Sequence, residues 1–188
     1  MKKYSFLLFL ILLSCEKSFY NSKKVIPKEE YKYYNKDFVL PKSSLLKTNG
    51  IYISISEEKF EYKVDSYKIN YPDRDHPALK GNIPNKDTII FFNRYFYYQF
   101  TDNGLWKESG GYYNLEDLTE SIKKINTSLD YSVYKVKGDS LFLESYNWYR
   151  KKFTYRDAVI IADTIFSRDR ESNNKENTVK YIYYPINL

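Results

Sequence analysis

Apolar and polar positions alternate with a period of two along most of the chain. After Asn49-Gly50, Ile51, Ile53 and Ile55 alternate with Tyr52, Ser54 and Ser56. That is the pattern of a strand with one buried face, and it predicts the three isoleucines pointing inward together. Phe60, Tyr62 and Val64 repeat the period in a further short strand. Pro72, Pro77, Gly81 and Pro84 then predict a long loop. Residues 88–101 form the most aromatic stretch, either a hairpin broken at Asn93-Arg94 or one long strand. Asn103-Gly104 predicts a tight turn, because this pair accepts the positive φ values of a type I′ hairpin. Further strands are expected at 105–107, 131–136, 140–148, 152–156, 158–162, 164–167 and 179–184. Leu141 and Leu143 should face inward, and Phe142 and Glu144 outward, because an unpaired buried carboxylate is costly. One segment breaks the period. Asn114 is a good N-cap, Glu116 and Glu120 suit the positive start of a helix, and Leu115, Leu118, Ile122 and Ile125 form a helical stripe. About nine or ten short strands, one short helix and no run of βα units predict an all-β fold, an antiparallel β-barrel or a sandwich.

The period is absent from residues 16–44, which are polar and Lys-rich and carry Pro27 and Pro41. Such composition predicts a tether. Tyr31, Tyr33, Tyr34 and Phe38-Val39-Leu40 are the parts of it that could pack on a domain edge. Before the tether, Lys2-Lys3 precede an apolar run from Phe6 to Leu13. Eight apolar residues reach about 12 Å at ~1.5 Å each, far short of a ~30 Å hydrocarbon core, so the run reads as a signal peptide. Leu12-Leu13-Ser14-Cys15 resembles the lipobox of bacterial lipoproteins. The resemblance implies that Cys15 is acylated and becomes the first residue of the mature chain. The expected division is a signal peptide at 1–14, a lipidated polar tether at 15–44 and an antiparallel β domain at 45–188. Two or more acyl chains would hold it stably at a membrane, whereas one binds marginally. Glu16 follows Cys15 in place of the aspartate that retains such proteins in the inner membrane, and by that resemblance the outer membrane is favoured.

Charge excludes one class of partner. The formal net charge is +6, and +4 once Lys2 and Lys3 leave with the signal. The charges alternate in sign, as in Arg168-Asp169-Arg170-Glu171, rather than gathering into the stripe of a nucleic-acid binder. The densest basic cluster, Arg150-Lys151-Lys152 between Tyr149 and Phe153, reads as a solvated strand end. Twenty-two tyrosines and twelve phenylalanines suit a pleated surface and also follow A/T-rich codon usage. Cys15 is the sole cysteine, so no intrachain disulfide forms.

Little in the chain points to catalysis, and no enzyme activity or cofactor is expected. Asp73, Asp75 and the lone His76 do not supply the three or four close nitrogen and sulfur ligands of zinc, nor the spaced oxygen loop of calcium. Glu108, Glu116, Glu144 and Asp163 are carboxylates without any pairing visible in sequence, and there is no Gly-x-Ser-x-Gly elbow or phosphate-cradling glycine loop. From Leu45 onward, two segments resemble small lipocalin-like bacterial lipoproteins. One is the hairpin Tyr134-Lys135-Val136-Lys137-Gly138-Asp139-Ser140-Leu141. The other is the start Asn49-Gly50-Ile51-Tyr52, in which Tyr52 stands where lipocalins have the tryptophan of Gly-x-Trp. The wealth of Lys, Asn and Tyr is similar to that of Bacteroidetes lipoproteins. The resemblance implies a cell-envelope binding module whose barrel holds a small apolar or aromatic ligand. The alternative is a filled β domain that meets an envelope protein. A cavity above ~300 Å³ separates the two.

Overall fold

The computed structural model describes residues 26–65, 76–79, 81–124, 132–147, 149–171 and 177–186. Eight antiparallel strands close a barrel in strict chain order. They are β1 (Gly50–Tyr62), β2 (Thr88–Phe100), β3 (Leu105–Tyr112), β4 (Ser132–Lys137), β5 (Ser140–Asn147), β6 (Lys152–Ile161), β7 (Thr164–Asp169) and β8 (Val179–Pro185). A helix, α1 (Leu115–Lys124), lies between β3 and β4. The barrel alternative is therefore the correct one, and the strands are fewer and longer than the local pattern suggests. The first segment, 51–55, and Phe60 and Tyr62 of the second belong to one 13-residue strand that ends at Tyr62, short of the expected Val64, and the aromatic stretch is a single strand through Asn93-Arg94. β6 likewise runs unbroken across Asp157.

Two ends of the barrel differ. At one, tight turns join β2 to β3, β4 to β5 and β6 to β7, and β1 enters beside the end of β8. This end is closed by packing. Tyr52, Phe100, Trp106 and Tyr134 fill it with edge-on aromatic contacts, among them Tyr52–Phe100 at 5.8 Å and Phe100–Tyr134 at 5.3 Å. Leu141, Leu143, Ala158, Ile160 and Ile165 complete the core, so the inward orientation expected of Leu141 and Leu143 holds. At the other end the connections are longer. β1 pairs with β8 only from Gly50 to Ile53, while its pairing with β2 continues to Tyr62. β1 and β2 thus project as a two-stranded ribbon past the rim.

The face assignment of β1 is a correction. Tyr52 points into the barrel and Ile51 and Ile53 point out, the reverse of the isoleucine-inward expectation. Both faces are covered, because α1 lays Leu118 and Ile122 over Ile51, Ile53 and Tyr97 on the outside. Each such burial contributes about 1.5–3 kcal/mol, enough to make an outward isoleucine as favourable as an inward one. Ile55 lies beyond the helix's cover and is 58% exposed. Inside, the Tyr52 hydroxyl accepts the Lys47 N–H at 2.8 Å, so the ring is buried with its polar tip satisfied. α1 begins as its residues dictate: Asn114 Oδ1 accepts the Asp117 N–H at 2.7 Å, and Asn114 Nδ2 donates back to the Asp117 carboxylate.

Residues 31–40, where a tether is expected, lie on the barrel as a strap. Tyr31 stacks edge-on against Phe153 at 5.1 Å, and Tyr33 contacts Tyr155 at 5.8 Å. Further along, the Leu40 N–H donates to the Asp102 carbonyl, and Phe38 packs on Tyr134 at 5.3 Å beneath the closed end. Gly104 (φ +84°) makes room there, since a Cβ on it would stand 3.0 Å from the Phe38 ring. The latch is Glu144. Its side chain does point outward, as expected, yet it is fully buried, because its carboxylate accepts the Lys32 and Tyr33 N–H groups at 3.0 and 2.8 Å. Two charge-assisted hydrogen bonds remove the objection to burying it. Cys15 and residues 16–25 lie outside the described residues.

Candidate functional site at the open mouth

The inward positions change character from the closed end to the open one. Above the aromatic floor come Ser54, Tyr98, Glu108, Arg156 and Ser167. Strand alternation places Arg156 inward on β6 in phase with Ala158 and Ile160, and β3 brings Glu108 beside Tyr98 on β2. Arg156 Nη1 reaches the Glu108 carboxylate at 2.7 Å and donates to the Tyr98 hydroxyl oxygen, also at 2.7 Å. The Tyr98 hydroxyl lies 3.5 Å from Ser167 Oγ, and the Tyr181 ring stacks on the Tyr98 ring at 4.0 Å.

The electrostatics of this group are strongly set. Burial works against the Arg156 charge, but the Tyr98 oxygen and the Glu108 carboxylate more than offset it, so the guanidinium is held protonated more firmly than usual. Burial pushes the Tyr98 hydroxyl up, and it stays neutral. Burial does the same to Tyr181, with Tyr98 adding to it. The result is a fixed cation with a carboxylate and two neutral phenols around it. Over these groups opens a cleft of ≈510 Å³, lined by Tyr98, Arg156, Ser167, Asp169, Asn177, Thr178, Val179 and Tyr181.

A second polar group sits on the ribbon. Arg94 Nη1 donates to both Glu58 carboxylate oxygens at 3.2 Å and lies over the Phe96 and Tyr113 rings. Gly110 and Gly111 of β3 permit this, since a Cβ at either would collide with the Phe96 ring or the Arg94 guanidinium. His76 stacks face-to-face on Phe60 at 4.0 Å, with Phe92 and Tyr113 edge-on nearby. Burial, and then the Arg94 charge, hold its pKa below the usual value.

The expected site residues fall in separate places. Asp73 and Asp75 lie outside the described residues, and among those described no group of three or more His, Cys, Asp or Glu could hold a metal. Of the carboxylates, Glu108 belongs to the mouth, Glu116 is exposed on α1, Glu144 latches the strap, and Asp163 pairs with Lys47 at 2.7 Å by the β6–β7 turn. No two of these four are brought together. The mouth residues Tyr98, Arg156, Ser167 and Tyr181 were not legible as a site. Their one signal is an arginine on the apolar phase of a strand, a charge that must find a partner inside.

Comparison with protein-family models, with curated proteins and with solved structures finds no match. No helix among the described residues is long and apolar enough to cross a membrane.

Proposed function

We propose that the chain is a lipid-anchored cell-envelope protein whose barrel is a binding module for a small ligand taken at the open mouth. The anchor rests on the signal-like start and on Leu12-Leu13-Ser14-Cys15, with acylation at Cys15 and placement at the outer membrane. The binding role rests on one observation above all, the ≈510 Å³ cleft floored by Arg156, Tyr98 and Tyr181. That volume lies within the ~300–1,000 Å³ range of small-molecule sites. The aromatic packing of the closed end leaves the deep interior to the protein's own side chains, so the ligand sits high in the barrel. Its chemistry follows from the lining: an apolar or aromatic face against Tyr181 and Val179, and hydrogen-bonding groups toward Arg156, Ser167 and Thr178.

A second reading has its own support. An apolar groove of ≈370 Å³ runs outside the barrel between β1, β8 and the start of α1, where Ile55 and Ile182 are 58% and 51% exposed. A protein partner in the envelope would dock there. Native mass spectrometry of protein extracted from its own host separates the two. The mouth reading expects a retained small molecule that Arg156→Gln loses. A wild-type mass equal to the bare acylated chain, with a protein co-purifying instead, favours the groove.

A further inference from the structure

The strap fixes where the chain leaves the barrel. Followed backward from the closed end, it climbs the outer faces of β5 and β6, passes Glu144 and reaches Phe153 at Tyr31. Phe153 is the second residue of β6, so this exit lies beside the β5–β6 turn, on the rim of the open mouth. The same turn carries the basic cluster Arg150-Lys151-Lys152 and Tyr149, which is completely exposed. Asn147 Oδ1 shapes the turn by accepting the Arg150 N–H at 2.9 Å. Lys152 pairs with Glu171 at 2.6 Å, whereas Arg150 and Lys151 have no ion pair among the described residues.

We propose that the β5–β6 turn docks on an anionic lipid surface and holds the open mouth toward the bilayer. This rests on the acylated-Cys15 reading. The seventeen residues from Cys15 to Tyr31 extend at most roughly 55 Å, so the tether keeps the domain near the membrane without choosing its tilt. The turn makes that choice. A cation held near an anionic leaflet gains on the order of a fivefold preference, and two give roughly a twenty- to thirtyfold bias. That is too little to recruit a free protein and enough to orient a tethered one.

The acylated full chain offers a clean test, because Cys15 is the sole cysteine and its thiol is consumed by the lipid. A fluorophore is placed through Tyr149→Cys at the β5–β6 turn or through Asp139→Cys at the opposite end. The proteins are reconstituted in vesicles containing phosphatidylglycerol and a nitroxide-headgroup lipid. The label at 149 should be quenched severalfold more than that at 139. High salt, or Arg150→Glu with Lys151→Glu, should reduce it to the level at 139. Equal quenching at both positions, or quenching at 149 that ignores salt and charge reversal, overturns the docking while leaving the anchor intact. Absence of an acyl mass on the Cys15 peptide overturns both readings.

Discussion

Replacing Glu144 by alanine should release the strap. Its carboxylate is fully buried and accepts two backbone N–H groups, from Lys32 at 3.0 Å and Tyr33 at 2.8 Å. Hydrogen bonds to a charged acceptor contribute about 1.5–3 kcal/mol each, so the pair amounts to at most about 3–6 kcal/mol. The two N–H groups lie near the surface and can turn to water once the strap lifts, which limits the loss to about 3 kcal/mol. At about 2–4 °C per kcal/mol for a domain of this size, Tm should fall by roughly 6–12 °C. Glu144→Gln keeps one acceptor and should fall between the two. Urea melts give the free energy, and hydrogen exchange gives the location: the Lys32 and Tyr33 amides should lose protection while those of β4 and β5 keep theirs. A Glu144→Ala protein within ~0.5 kcal/mol of the parent, the range of ordinary surface changes, would refute the latch.

Three further outcomes follow from the packing. Tyr52→Ala should cost ~3–5 kcal/mol and Ile55→Ala under ~1 kcal/mol in denaturant melts; the opposite order would restore the isoleucine-inward register. His76 is the only histidine, and its folded pKa lies below its unfolded value near 6.5, so unfolding takes up a proton as the pH falls. Its stabilising contribution is therefore fully present well above the unfolded pKa of about 6.5 and is lost as the pH falls below it; the imidazole NMR titration should show the lowered pKa, and His76→Phe should remove this histidine-linked loss of stability on acidification below about pH 6.5. Arg156→Met should destabilise the barrel less when combined with Glu108→Gln than alone, because the single change strands a carboxylate in the mouth; a purely additive double mutant would disconnect the pair.

The strands and the helix were legible because period-two alternation and an Asn-capped apolar stripe are local properties. The face of β1 was not. Ile51-Tyr52-Ile53-Ser54 alternates two residue types that can each be buried, and only the distant stripe Leu118–Ile122, docked outside the barrel, decides which is which. The strap was hidden for a related reason. Tyr31, Tyr33 and Phe38 are scattered among charged residues, and each meets a ring from another strand: Phe153, Tyr155 and Tyr134. Expecting Glu144 to be solvated followed from treating burial of a carboxylate as costly; the strap supplied the donors that no local pattern shows. The mouth is assembled from β2, β3, β6, β7 and β8, so its members stand up to 83 residues apart, as Tyr98 and Tyr181 do. Arg156 alone carried a trace of it in sequence.

A pair of amide NMR spectra decides whether the mouth of the barrel is the binding site. One comes from protein purified from its own host without unfolding, the other from the same protein unfolded, dialysed and refolded. Resonances of Tyr98, Arg156, Ser167 and Tyr181 should differ between the two, while those of Phe100, Trp106 and Tyr134 at the closed end coincide. Identical spectra, or differences confined to Ile55, Ile182 and Tyr184 on the outer face, would contradict the account.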